Sequence, residues 1–381
     1  MNLQELLEKF HTVASCPSGQ KNGYLATGKK VVLTAPVYTP EEIIHSMGAV
    51  PMGAWGADTE LAEAKKYFPA FICSVVQSIV ELGIKGEYCG VSAIVIPSLC
   101  DSLKVVGENW KYAVPSIPFI PMTYPQNRKP SFGVTFTRAG YERVIADLEK
   151  ATGLTFDEKS LEKSLFIYNE HNAVMREASA LLAQHPEIKA SQRSDIFKSA
   201  FFMLKEEHTV LVKNLIDELQ SQPAGKQKLR IMTTGILADS PSLTAIIDEN
   251  NMQIVADDVA AESRQYRTDS PLQGKALDRL ALKFSNTDNC SVLYDVNKKR
   301  VDMIISQAKA ANVNGILFVL TKFCDPEEFD YPLIKKACET AGIPLATIEI
   351  DRQMVNYEQA RTVIDTFRDL ISQKQGGFEH E

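Results

Sequence analysis

No run of eighteen apolar residues occurs anywhere in the chain, so a membrane-crossing helix is not expected. The opening stretch, MNLQELLEKF, mixes acidic, basic and apolar side chains without the continuous apolar core of a secretory signal. A basic excess is absent too. The 41 Lys and Arg face 48 Asp and Glu, and a net charge of −7 argues against nucleic acid as a partner. These absences lead to an expected cytoplasmic location with no membrane partner. No CxxC pair occurs among the seven cysteines, and their number is odd. In a reducing compartment they are free thiols, metal ligands or nucleophiles rather than disulfides. A working P-loop is also missing. Gly23 to Lys30 resembles one, but Lys30 stands where Ser or Thr should bind magnesium, and the glycines precede a strand instead of following one.

What is present suits two α/β lobes. The 381 residues, 45% hydrophobic and 23% charged, suffice for two cores. The stretch that organises the rest is Asn314 to Pro332, NGILFVLTKFCDPEEFDYP. Gly315 to Leu320 is almost wholly apolar, as in a strand buried on both faces of a parallel sheet, and Cys324-Asp325 follows its carboxyl end. Open α/β sheets bind their ligands at that end. Ser92 to Pro97 leads in the same way to Cys100-Asp101.

Taken in order, residues 1–29 read as an N-terminal helical arm, with a helix over Met1 to Phe10 and a turn at Cys16 to Gly19. Residues 30–135 read as a first α/β lobe: strands at Lys30 to Ala35, Ala49 to Ala54, Ser92 to Pro97 and Ile117 to Pro121. Thr39 is the expected cap of a helix over Glu41 to Met47, and Leu61 to Tyr67 reads as helical. A further apolar helix starts at Cys73, where the positive dipole end favours a thiolate. Residues 136–225 show helical spacing over Tyr141 to Thr152, Glu158 to Ala183 and Ile196 to Leu219. There His171 and His208 lie among charged neighbours and read as solvated, and Ser221 to Gly225 reads as a linker. His45 reads as a packed or surface histidine.

Residues 226–372 repeat the strand–helix pattern, and 373–381 reads as a frayed tail. KVVLTAPVYTPEE answers LRIMTTGILADSP, AVPMGA answers MQIVAD, AIVIPSLCD answers ILFVLTKFCD, and IPFIPM answers IPLATI. The expected fold is therefore α/β, with two similar open parallel-sheet, flavodoxin- or Rossmann-like lobes joined by a helical segment. A site between the lobes can draw on strand-end loops of both.

Cys73, Cys100 and Cys324 are the thiols that this arrangement would expose at a lobe–lobe cleft. Structural zinc usually takes four ligands in paired spacings, a pattern that is missing here. Thiols scattered along the chain suit an iron–sulfur cluster better, and three of them on a four-iron cube leave one iron for another ligand. Cys16, Cys89, Cys290 and Cys338 read as ordinary cysteines. Asp101 and Asp325 are either helix caps or partners that tune the cluster loops. Glu327 and Glu328 satisfy a helix dipole, and Asp239, Arg264 and Arg267 read as solvated loop charges. No catalytic residue is assigned.

FPAFICS, IPSLCDSL, TGILADS, VADDVAAESRQYRTD and KFCDPEEFDYP, with PVYTPEEIIHSMGAVPMGAWG, resemble the β-type subunit of the (R)-2-hydroxyacyl-CoA dehydratases over nearly the whole chain. The resemblance implies a heterodimer with a related α-type subunit, and a [4Fe–4S] cluster held in this chain by Cys73, Cys100 and Cys324. It also implies elimination of water from (R)-2-hydroxyacyl-CoA to (E)-2-enoyl-CoA through a ketyl radical anion. The resemblance further implies that an ATP-hydrolysing iron–sulfur activator supplies the electron transiently and that the acyl-CoA is to be expected at or near the subunit interface. Other readings are a subunit of an aromatic-acyl-CoA reductase, a homodimeric double-cubane reductase, or a non-enzymatic two-lobe binding protein with inert thiols.

Overall fold

The structure, a computed structural model, describes residues 1–223 and 225–376. Helices α1 (Leu3–Ser15) and α2 (Pro17–Ala26) precede strand β1 (Val31–Thr34), α3 (Glu41–Ser46) and β2 (Val50–Gly53). Then come α4 (Ser74–Ile84), β3 (Ala93–Pro97), α5 (Asp101–Ala113) and β4 (Phe119–Met122). Four helices follow: α6 (Ser131–Thr152), α7 (Glu158–Leu182), α8 (Ala190–Ser199) and α9 (Lys205–Gln220). The second sheet is built through β5 (Leu229–Gly235), α10 (Pro241–Glu249), β6 (Met252–Val259), α11 (Ala276–Asn286) and α12 (Lys299–Ala310). It is completed by β7 (Gly315–Thr321), α13 (Asp325–Ala341), β8 (Leu345–Ile350) and α14 (Glu358–Gly376).

Both sheets are parallel throughout, and their strand orders match: β2-β1-β3-β4 in the first and β6-β5-β7-β8 in the second. The duplication expected from the sequence is therefore a duplication of topology. In this order the chain reverses direction across the sheet between β1 and β3, and again between β5 and β7. A crevice opens at each such switch point, beyond the strands' carboxyl ends. Ile316, Leu317, Phe318 and Val319 of β7 are all fully buried, which explains their unbroken apolar run. Each such side chain stabilises the fold by about 1.5–3 kcal/mol.

The lobes share one core. A single apolar cluster joins Leu6 of α1, Leu33 of β1, Ile79 of α4, Val212 of α9 and Leu317 of β7. Helix α11 packs on the outer face of the first sheet, where Leu280 and Phe284 meet Val144 and Leu161. Backbone and side-chain bonds lock the lobes further. Arg352 donates its N–H to Ser74 Oγ at 3.1 Å, and Thr59 donates its own to the Arg352 carbonyl at 3.0 Å. From the other side, Arg128 donates to the carbonyls of Thr287 and Tyr294.

Several local expectations are corrected. A second helix, α2, occupies Pro17–Ala26 where a turn was expected, with Pro17 in its first turn. Thr39 does not cap α3; its hydroxyl donates to the Ala35 carbonyl at 2.7 Å, and Pro40 takes the capping position. Leu61 to Tyr67 forms only a 3-10 turn at Ala64–Lys66. The helix expected over Ile196 to Leu219 breaks between α8 and α9, where the Phe201 carbonyl accepts the Gly53 N–H at 2.9 Å. Of the expected linker, Ala224 lies outside the described residues. Of the expected tail, α14 continues to Gly376, and 377–381 lie outside the described residues. Among the described residues no helix is long and apolar enough to cross a membrane.

Candidate thiol-lined metal centre

The switch points of both sheets face one cavity of about 700 Å³. Pro36 and Val37 enter it from the end of β1, Leu99 and Cys100 from β3, Ile236 from β5, and Phe323 and Cys324 from β7. Cys73 joins them from the head of α4. The structure thus brings Cys73, Cys100 and Cys324 to a common wall, two from the first lobe and one from the second. Cys16 and Cys89 are exposed elsewhere, Cys338 is buried in α13, and Cys290 is buried against Arg264, whose Nη1 lies 3.5 Å from its sulfur.

Each of the three cysteines occupies the capping position of a helix: Cys73 for α4, Cys100 for α5 and Cys324 for α13. Their carbonyls open the first turns, as in the bonds from Lys104 N–H to Cys100 at 3.1 Å and from Glu327 N–H to Cys324 at 3.0 Å. Three positive dipole ends therefore point at the cavity where the sulfurs stand. Asp101 and Asp325 are consequently first-turn residues and not the caps. Asp101 is exposed and pairs with Lys104 at 3.0 Å.

As free thiols the three hold their protons. Burial pushes Cys73 up to about 12, against the pull of the Val75 and Val76 N–H groups. Burial also raises Cys100, helped by Asp101 and Asp325 and opposed by the Leu103 and Ser102 N–H groups. Cys324 is raised well above the ordinary thiol by burial, then by Cys73, Glu327 and Cys100. Burial favours the thiol form at all three, with Cys100 also raising Cys73 and both raising Cys324, and a cationic centre that joins them offsets these effects and favours thiolates.

The residues fit a cluster better than an ion. Among the described residues no three His, Cys, Asp or Glu side chains group tightly enough to hold a single metal ion. The cavity, by contrast, is many times the ~30 Å³ volume of a water molecule. A set of thiols that is too wide for one ion and faces a roomy cavity suits a multi-iron group.

Behind Cys324 lies an ion network that the sequence pattern concealed, Arg264, Arg267 and Asp239 having been expected as solvated charges. Glu327, fully buried one turn into α13, accepts from Arg264 at 2.9 Å, Ser291 at 2.7 Å and Arg300 at 2.8 Å. Asp258 at the end of β6 receives Arg264, Arg267 and Arg300. It stays well below the usual carboxylate range because these cations outweigh the burial that opposes them. Asp239 pairs with Arg352 at 3.0 Å and Lys198 at 3.1 Å. Since Ser291 also lines the thiol cavity, the network braces both α13 and the loop beside it. His171 and His208 are corrected as well: both are fully buried and bonded to each other at 3.0 Å. His45 is packed, 2.7 Å from Ser164 Oγ and close to Glu206.

Two parallel-sheet lobes that meet at a three-thiol cavity define a class of two-lobed α/β proteins with a candidate cluster site between their switch points. The family model of 2-hydroxyglutaryl-CoA dehydratase, D-component, matches residues 36–371. The chain belongs to that family. It is 48% identical to the (R)-phenyllactyl-CoA dehydratase beta subunit of Clostridium sporogenes, covering 91% of this chain and 92% of that one. It is 38% identical to the lactoyl-CoA dehydratase subunit beta of Anaerotignum propionicum, over 97% and 99%. With the (R)-2-hydroxyglutaryl-CoA dehydratase subunit beta of Acidaminococcus fermentans the identity is 33%, over 97% and 100%.

Proposed function

We propose that this chain is the β-type subunit of an (R)-2-hydroxyacyl-CoA dehydratase, a hydro-lyase that converts the (R)-2-hydroxyacyl thioester to the (E)-2-enoyl thioester and water. In it Cys73, Cys100 and Cys324 hold a [4Fe–4S] cluster. The observation that carries this reading is the meeting of these thiols, from both lobes, on one cavity in a chain of the dehydratase family. Bound there, such a cluster supplies one-electron chemistry.

The chain's own groups prepare the place. The three thiols give up their protons on ligation, and the heads of α4, α5 and α13 favour the resulting negative charge. The network around Glu327 holds the first turn of α13, and with it Cys324, in a fixed orientation. Val296 and Phe329, both exposed at the cavity's lining, offer an apolar surface that an α-type partner subunit covers, which keeps water from the cavity. The acyl-CoA is expected at or near that interface, and the electron is expected from a separate ATP-hydrolysing iron–sulfur activator. A double-cubane reductase would need further thiols at the second lobe's strand ends, but Cys290 is engaged by Arg264 and Cys338 is buried within α13.

Anaerobic co-expression with the α-type chain, iron and sulfide counts, and a panel of 2-hydroxyacyl-CoA thioesters test the proposal. (R)-Phenyllactyl-CoA comes first in the panel, because it is named for the 48%-identical relative. A complex that is free of iron and inert toward every thioester contradicts the proposal.

A further inference from the structure

A second cavity, of about 90 Å³, lies on the far side of the loop that follows β1; Pro36 and Val37 line both cavities. Further walls come from α3, α6, α7, α9 and α11 and from Arg264 to Thr268 after β6, so it sits where both lobes meet the helical layer. We propose that this cavity is a binding site for a small neutral hydroxylic ligand, water or a two- to three-carbon alcohol or diol, whose O–H donates to Nδ1 of His171.

The hydrogen bonds of two buried histidines fix which lone pair is on offer. Nε2 of His208 lies 3.1 Å from the Ile196 carbonyl oxygen and 3.0 Å from Ser199 Oγ. A carbonyl can only accept, so this nitrogen carries the proton and Nδ1 of His208 is bare. Nε2 of His171, 3.0 Å from that bare nitrogen, must then be the donor. Nδ1 of His171 is left as an acceptor, fully buried and without a hydrogen-bond partner among the described residues. Neither ring escapes by taking a second proton, since burial holds both well below the usual histidine range.

A buried acceptor forfeits its hydration unless a donor reaches it, so this nitrogen calls for an occupant. Charge in the cavity selects a neutral one. Glu41 is balanced by Lys205 at 3.0 Å and Glu42 by Lys283 at 2.6 Å, and Arg264, which also lines the cavity, is engaged from behind by Asp258 and Glu327, so every charge in the wall already has its partner. Lys283 has ammonium hydrogens beyond the one spent on Glu42, and these can donate to the ligand's oxygen. Trp55, Phe201 and Phe284 line the cavity as well and accommodate a short carbon chain. The volume sets the size: it is smaller than a ~150 Å³ cavity that takes benzene, and several times the ~10–15 Å³ that admits one water. Because Pro36 and Val37 wall both cavities, the occupant also props the loop that borders the thiols.

The test uses the full chain with ¹⁵N-labelled histidine, titrated with ethylene glycol and propane-1,2-diol, together with crystals soaked in the same diols or pressurised with xenon. The expected result is a His171 ring protonated at Nε2 only, with its Nδ1 resonance displaced by a hydrogen bond and an oxygen within bonding distance of Nδ1. A diol oxygen there identifies an alcohol as the ligand, and ordered water that survives the soak identifies water; both support the site. A proton on Nδ1, or a dry cavity that takes up xenon, overturns it. The Leu280→Trp substitution fills the cavity from α11 and is expected to abolish the diol response. A response that persists in that variant also overturns the proposal, and if the variant does not fold, the wild-type soaks decide alone.

Discussion

Arg300 donates through Nη2 to Glu327 Oε2 at 2.8 Å, with both side chains withdrawn from solvent. The same guanidinium serves Asp258 at 2.8 Å and Asp330 at 2.9 Å, so it is the shared counter-charge of three buried carboxylates. Replacing it by Leu takes a counter-charge from all three, leaving Asp258 to Arg264 and Arg267, Glu327 to Arg264 and Asp330 to Lys298, and breaking a buried pair costs about 3–5 kcal/mol. Urea unfolding of Arg300→Leu is expected to show a loss of that order. A loss below about 1 kcal/mol would mean that the network contributes little.

The buried histidines predict a pH dependence. His208 is depressed by burial to about 3, so the folded state binds fewer protons than the unfolded chain below the ordinary histidine range. This contribution to stability is complete above about pH 6.5 and is lost as the pH falls from there toward 3. In His208→Gln the slope of unfolding free energy between pH 6.5 and 4.5 is expected to be smaller by about 1.4 kcal/mol per pH unit. The wild-type comparison cancels groups such as Glu262, which burial raises to about 7. Equal slopes in the two proteins would contradict the burial of His208.

Gly235 closes β5 at a φ of +149°, and a Cβ placed there would lie 2.2 Å from the Val319 carbonyl oxygen of β7. Backbone cannot give way as a side-chain tip can, so Gly235→Ala is expected to cost at least about 1–3 kcal/mol. Gly23 lies within α2 with open space around its Cβ position, so Gly23→Ala is expected to gain about 0.5–1 kcal/mol. Thermal unfolding of the pair measures both signs.

The sheets were legible in the sequence because a parallel strand buried on both faces leaves a continuous apolar run, as in Ile316 to Val319, and because two such runs end in Cys-Asp. Cys100 and Cys324 were legible as strand-end residues and Cys73 as the start of an apolar helix, but that cysteine rather than Asp101 or Asp325 holds the capping position was not. His171 was not, because its charged neighbours in the chain face away from it. Its spacing carried the missed signal: Leu161, Leu165, Tyr168, His171, Met175 and Leu182 form one buried stripe of α7. Arg264 and Glu327 were misread for a different reason. They lie far apart in sequence, and only the parallel sheet, which sets the carboxyl ends of β6 and β7 on either side of β5, brings their charges together.

Ligation by particular thiols predicts a selective loss of iron. Cys324→Ser is expected to fold, with α13 still held by Glu327, and to lose most of its iron in anaerobic purification. Cys290→Ser and Cys338→Ser, which alter sulfurs outside the thiol cavity, are expected to keep it. A fold-competent Cys324→Ser with full iron would remove this residue as a ligand.

The most direct measurement is the iron and acid-labile sulfide content of the anaerobically purified complex, assigned to this chain by parallel Cys73→Ser, Cys100→Ser and Cys324→Ser variants. The account predicts about four irons and about four sulfides bound to this chain, with a similar loss in each variant. No iron on this chain, or iron indifferent to all three substitutions, would contradict it.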